Sequence, residues 1–320
     1  MVGLVLQRLI QAIPLIFGAT IVVFVVLRVM PGADPAELIL GPKESPEAYA
    51  AARKEFDLDK PLPLQYVVWL KHISQGDLGH SYLTHIPVTQ LLKERVPATL
   101  ELTFAAMILA VLVAIPVGAL AALHQGGKFD LVFTWLATVF MSIPGFWLGI
   151  LAIFVFSQNL RILPPGGRVD LISSPVDEIK HLVLPAVTLA AYAIASMSRL
   201  VKTTMLEVLH EDYVRTAKAK GLSPTVIARR HILPNAFVPV LTLIGLWFGR
   251  LLGGAVIAES IFAWPGLGRM VLSSIQSRDY AVVQGAMLYF VLIFIFINFM
   301  TDIAYGIIDP RIRMGVQARN

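Results

Sequence analysis

The sequence predicts an all-α integral membrane protein with six transmembrane helices. Charged residues make up only 15% of the 320-residue chain and hydrophobic residues 57%, with a mean hydropathy of +0.73; a soluble domain carries about a quarter charged residues. The apolar residues also gather into runs of the length needed to cross a bilayer core as helix, about 20 residues. Finally, no run alternates polar and apolar as a barrel strand does, and backbone amides in lipid must be satisfied internally, so the spans are helices.

The spans fall at roughly 9–30, 99–123, 131–156, 182–206, 238–262 and 282–308. The first, "LIQAIPLIFGATIVVFVVLRVM", is longer than the core of a signal peptide and is expected to stay as an anchor. Six spans put both termini on one side. Short segments on that side hold ten Lys and Arg, from Arg8 and Lys128 through the 215–230 cluster to Arg319, against five on the other: Arg161, Arg168, Lys180, Arg269 and Arg278. The positive-inside rule therefore predicts cytoplasmic termini, and the net charge of +5 reads as topology rather than affinity for nucleic acid. The chain has no cysteine, which excludes disulfides, thiolate metal sites and a cysteine nucleophile.

Between the first two spans, residues 31–98 carry helix signals and are expected to form a small external element. In "ESPEAYAAARKEF", Ser45 is an N-cap with Pro46 at the first helical position. "PLPLQYVVWLKHISQG" puts Tyr66, Trp69, Leu70 and Ile73 on one face, with Gly76 to end the helix. "PVTQLLKERVP" predicts a third short helix closed by Pro97. This element is either a lid over the bundle or a docking surface. The expected organisation is an N-terminal helix with its external loop (1–98), a five-helix core (99–308) and a tail (309–320). Pro14, Pro116, Pro144, Pro185 and Pro239 lie within or at the ends of spans and can bend them.

No catalytic constellation is found. "HEDYV" at His210 has Val214 where a second zinc-binding histidine would stand, and no G-x-S-x-G elbow exists. "GLG" at 266–268 lacks the third glycine of a dinucleotide site. No G-x-x-x-x-G-K-[ST] loop exists either, so the chain is expected not to be an enzyme, and any nucleotide energy comes from another chain.

One short stretch stands apart from the apolar runs. "EDYVRTAKAKGLSPTVIARRHILPNA", residues 211–236, holds five cations and two anions. Residues 207–220 read as span four running on out of the membrane. Gly221 ends that helix, Ser223 caps the next, Pro224 is its first residue, and "PTVIARRH" makes about two turns before Leu233-Pro234 stops it. Val226, Ile227 and Arg230 cluster on this stub. So short a helix does not persist alone in water and needs a surface, which charge alone leaves open between lipid headgroups and a groove on a partner protein.

This segment resembles the cytoplasmic loop of ABC-importer permeases: E-A-A, three residues, Gly, nine residues, Ile, one residue, Leu-Pro. Aligned on Gly221 the chain supplies Ala217, Leu233 and Pro234, and departs at Arg215, Thr216 and His231. "DYVRTAKAKGLS" is similar to the version of the peptide-transporter branch. "DLDKPLPLQYVVWLKHISQGDLGHS", "FAWPGLGRMVLSSIQSRDYAVVQGAM" (with Ala281 where Pro is usual) and "NFMTDIAYGIIDPRIR" extend the likeness over the full chain. The resemblance is to the first of the two permease subunits of a di-/oligopeptide importer. It implies the type I ABC importer permease fold in a bacterial or archaeal cytoplasmic membrane. It further implies a sister permease, two cytoplasmic ATPase subunits that bind ATP and Mg, and an external substrate-binding protein, with the helix at about 223–232 as coupling helix. Leu222 falls within this loop of residues 207–237.

Within the bilayer, ionisable groups usually face a cavity or a partner. Arg250, about 12 residues or roughly 18 Å into span five, is near the midplane. It either lines the route and attracts a peptide carboxylate or pairs with an acid elsewhere. Arg199 and Asp302 lie at similar depth and form a candidate gating pair. Two alternatives stay open: the same subunit type serving nickel or glutathione import, and a self-contained carrier or channel. A membrane-embedded hydrolase would need a nucleophile or metal set, and none is assembled in the sequence.

Overall fold

The computed structural model describes residues 2–29, 40, 45–55, 59–169, 173–227, 230 and 232–308; the tail expected at 309–320 lies outside them. Among the described residues the chain is helical apart from turns and an isolated bridge between His80 and Pro87. The helices are α1 (Val2–Val29), α2 (Pro46–Glu55), α3 (Leu62–Ser74), α4 (Val88–Leu123), α5 (Lys128–Ser142), α6 (Gly145–Ala152), α7 (Pro175–Leu209), α8 (Asp212–Ala219), α9 (Pro224–Ile227), α10 (Leu233–Ile261), α11 (Leu267–Gln276) and α12 (Tyr280–Ile308). A π-helical stretch, Ile153–Asn159, continues α6. Among the described residues, five segments are long and apolar enough to cross a membrane: Leu6–Val26, Val88–Leu123, Pro175–Leu209, Leu243–Ile261 and Tyr280–Thr301. The sixth, expected as one helix over 131–156, is broken. Its halves, Lys128–Ser142 and Gly145–Asn159, meet at 102°. Ile143, ahead of Pro144, is extended (φ −77°, ψ 127°), the conformation that a following proline favours.

Two other expectations are corrected. Pro97 does not close a short helix, because α4 runs through it to Leu123; residues 91–96 are good helix formers on one side and an apolar span begins on the other, and together they carry the missing amide bond. The fourth span does not continue through 207–220 but ends at Leu209. His210 closes it through a ring nitrogen 2.7 Å from the Leu206 carbonyl, and Glu211 turns extended (φ −68°, ψ 146°) to start α8 afresh.

The residues fall into two compact units. One comprises 7–99 and 265–295. In it Phe24 packs among Tyr66 and Trp69 with ring centroids 5.5 and 5.6 Å away, and Tyr66 shares a 2.8 Å hydrogen bond with Thr20. Ser45 caps α2, its hydroxyl accepting from the Ala48 amide at 3.2 Å. A core of Val88, Leu92, Leu267, Val271, Val282 and Ala286 holds the starts of α4 and α12 and the buried face of α11. Asp279, buried just ahead of α12, accepts from the Ser81 hydroxyl and the Tyr82 amide and so pins the turn that precedes α4. The Leu267 amide donates to Thr99 Oγ1 at 2.7 Å, so a side chain from α4 caps α11.

The other unit comprises 1–6, 100–264 and 296–320. Here α7 packs against α5, α6 and α10. The loop before α7 is held by charge and by close backbone approach. Arg168 lies 2.8 Å from Glu101 and 3.8 Å from the fully buried Glu178, which also accepts the Val169 amide at 2.8 Å. A side chain on Gly166 would start 1.9 Å from the Phe262 carbonyl oxygen, so only glycine fits there.

Candidate functional site

The basic hairpin between α7 and α10 is built from residues the sequence marks for it. Asp212 sits in the first turn of α8, where a carboxylate complements the helix dipole. α8 closes in a Schellman motif: the Gly221 amide donates to the Lys218 carbonyl at 3.0 Å and the Leu222 amide to the Ala217 carbonyl at 3.3 Å. That closure needs a left-handed residue, and Gly221 has φ +76°. Ser223 then caps α9, its hydroxyl accepting from the Val226 amide at 3.4 Å and its carbonyl from the Ile227 amide at 3.0 Å.

The two sides of the hairpin differ. Its inner side is sunk in a core of Ala119, Ala122, Val201, Met205, Val214, Ala217, Ile227, Ile232 and Val240, so the ends of α4, α7 and α10 grip it. Tyr213 adds a hydrogen bond to Asn235 at the start of α10; partial burial, then the Glu211 charge, raise its phenol above the ordinary value. The outer side shows Leu222 and Val226, 39% and 41% exposed, among the exposed Arg215, Lys218, Lys220 and Arg230. Ile227, grouped with Val226 and Arg230 from sequence spacing, is only 3% exposed and belongs to the inner side.

α9 is helical over Pro224–Ile227; residues 228, 229 and His231 lie outside the described residues, as do the side chains of Pro224, Leu233 and Pro234. Leu233-Pro234 does not stop a helix but starts α10, with the proline in its first turn, where its missing amide is not needed.

Deeper in the same unit, the Arg250 guanidinium lies over the Trp247 ring, 5.1 Å from its centroid, and Trp247 lies 5.4 Å from Tyr192. Arg250 and Tyr192 are exposed on the isolated chain and Trp247 is buried. The sequence reading singled out Arg250 but not its two aromatic neighbours, which sit on another helix or one turn away. Arg199 donates to Thr138 Oγ1 at 3.0 Å; the side chain of its expected partner Asp302 lies outside the described residues. A further ion pair went unread: Lys202 of α7 holds Asp130, which also accepts the Gly126 amide at 3.1 Å, tying the α4–α5 turn to α7.

The chain matches the family model "Binding-protein-dependent transport system inner membrane component" over residues 114–314, and that of its N-terminal region over residues 1–103. It is 40% identical over 334 residues to the di/tripeptide transport system permease protein DppB of Pseudomonas aeruginosa, covering 98% of this chain and 99% of that one. It is likewise 40% identical over 337 residues to the dipeptide transport system permease protein DppB of Escherichia coli, with the same two coverages. Among solved structures, an inward-facing form of the MetNI methionine ABC transporter has a chain similar in fold at TM-score 0.58 and 20% identity. That match covers 69% of this chain and 97% of the other.

Proposed function

The chain belongs to the family of binding-protein-dependent transport system inner membrane components, and from that premise we propose that it is the permease subunit of an ATP-driven importer of di- and oligopeptides. The observation that carries the reading is the two-sided hairpin. One side is locked into the ends of three helices, and the other offers two apolar side chains inside a ring of cations. Such a peg converts movement of whatever grips it into movement of α4, α7 and α10, because its inner core leaves it no freedom to swing alone.

The partner that grips it is a cytoplasmic ATPase subunit, one of two, which binds ATP and Mg. The distribution of Lys and Arg supports the required orientation, hairpin and termini in the cytoplasm. A sister permease completes the pathway and an external binding protein delivers substrate, landing on the element between the first two spans, residues 31–98. Arg250, held on Trp247, faces the route and attracts the peptide carboxylate, for which a guanidinium fork is suited. Arg199 and Asp302 act as a gating pair, so reversing both charges restores transport that either single reversal abolishes.

Reconstitution tests the reading. Proteoliposomes holding both permeases and both ATPases take up a labelled dipeptide when ATP and the loaded binding protein are supplied, whereas this chain alone gives no net uptake. Uptake by the chain alone would instead identify a self-contained carrier.

A further inference from the structure

The broken span, α5 and α6, carries chemistry that the transport reading does not use. Pro144 has no amide, so the Phe140 carbonyl, four residues back, lacks the donor that a continuous helix would supply. Among the described residues the Met141 and Ser142 carbonyls accept no hydrogen bond either, and the Gly145 and Phe146 amides that would have donated to them make none. The first turn of α6 instead closes on Pro144, whose carbonyl accepts from the Trp147 and Leu148 amides at 3.0 and 3.1 Å. Three successive carbonyls therefore end α5 without a donor, and the carbonyls of a helix point along its axis past the last turn.

Depth adds the second part of the argument. α5 has 15 residues, about 22 Å of helix from its start at Lys128, so the break lies within a hydrocarbon core of about 30 Å. Free backbone groups at that depth do not face lipid tails; they stand against protein or line a polar cavity. A cavity of about 520 Å³ lies at the break, with Trp135, Thr138 and Ser142 on one side and Pro144, Phe146 and Trp147 on the other. The Thr138 and Ser142 hydroxyls donate to the Thr134 and Thr138 carbonyls at 2.8 Å, so they have only lone pairs left to offer. The Thr138 oxygen also accepts from Arg199, but neither that guanidinium nor any other charged side chain lines the cavity. The carbonyl end of a helix and the faces of indole rings both attract a cation. An organic ammonium suits this lining better than a hard metal ion, which takes six or more oxygen ligands, commonly with carboxylates among them. Arg250 already serves a peptide's carboxylate in the transport reading; the peptide's other terminal charge is its free amino group. We propose that the cavity at the α5–α6 break binds the amino-terminal ammonium of the transported peptide, on the carbonyl end of α5 and the rings of Trp135 and Trp147. This inference rests on the peptide-importer reading.

The test uses the assembled transporter in nanodiscs, both permeases with both ATPases, and leaves out the binding protein so that its own selectivity plays no part. Isothermal titration calorimetry measures the binding of the dipeptide Ala-Phe and of N-acetyl-Ala-Phe, which lacks the ammonium. The wild type should bind the free dipeptide about tenfold or more tightly, the loss expected when charge-assisted hydrogen bonds are removed. P144A returns an amide to position 144 and with it a donor for the Phe140 carbonyl, and W135A/W147A removes the rings. Each should bring the two Kd values close together, whereas W135F/W147F, which keeps ring faces, should retain most of the difference. The proposal is overturned if the wild type binds both peptides equally or binds neither. It is also overturned if P144A or W135A/W147A, still folded by its own unfolding transition, keeps the wild-type ratio. Dipeptide uptake in the reconstituted system is a separate readout: uptake that succeeds while acetylation leaves binding unchanged removes this site and leaves the importer reading standing.

Discussion

Val226 and Ile227 are adjacent in sequence yet should fail in opposite ways. Val226 is 41% exposed on the outer side of the hairpin and Ile227 3% exposed on its inner side. Fully burying a valine side chain contributes about 1.5–3 kcal/mol, so the exposed 41% still available to a partner is worth about 1 kcal/mol. Val226→Ala should therefore weaken ATPase binding about fivefold. Val226→Asp also buries a polar group in the partner's groove, at a further cost of about 1–3 kcal/mol. The total of about 2–4 kcal/mol corresponds to roughly 30- to 700-fold in Kd. The permease itself should unfold at the wild-type temperature. Ile227→Ala removes a buried side chain and should destabilise the hairpin by about 2–5 kcal/mol, visible as a lower Tm or as proteolysis between α8 and α10 even without a partner. Interferometry with the permease in nanodiscs and the ATPase in solution measures the first effect, and thermal unfolding the second. Equal losses of ATPase affinity and of Tm in both variants would refute the division into two sides.

Three further outcomes follow from named contacts. Gly221→Pro should abolish the Schellman closure and release the ATPase while the spans still insert, and Gly221→Ala should lower hairpin stability by about 1–2 kcal/mol; pull-down of ATPase and limited proteolysis check both. Arg168→Met leaves the buried Glu178 without its cation and should destabilise the protein by about 3–5 kcal/mol, with Glu178→Gln in the same chain recovering part of the lost Tm. Arg250→Gln should raise KM for dipeptide uptake with ATPase assembly unchanged, and Arg250→Lys should recover only part, since the flat stack on Trp247 is lost; uptake kinetics in proteoliposomes decide it.

What the sequence revealed followed from local physics. Hydropathy located all six apolar segments, and caps and glycines located the start of α2 at Ser45 and the hairpin at Gly221 and Ser223. The misses came where tertiary packing overrides local signals. Pro14 and Pro185 sit inside intact helices, whereas Pro144 breaks one; in each case a proline stands in an apolar run, and neighbouring helices decide the result. Spacing alone groups Ile227 with Val226 and Arg230, because so short a segment gives no period from which to tell its faces. The break at His210 had a readable signal, the acidic pair Glu211-Asp212 that commonly opens a helix, but the apolar run before it suggested continuity. Glu101, Arg168 and Glu178 come together from two helices and a loop, and such long-range pairing leaves no trace in spacing.

The central claim, that the outer side of the hairpin seats in an ATPase, can be tested most directly by cross-linking, because the natural chain has no cysteine to interfere. Val226→Cys should cross-link to a cysteine in the ATPase groove both with and without ATP, and Ile227→Cys should not. If Val226→Cys never reaches the ATPase during turnover and reacts only with lipid-borne reagents, the hairpin lies on the membrane and does not couple the ATPase to the permease.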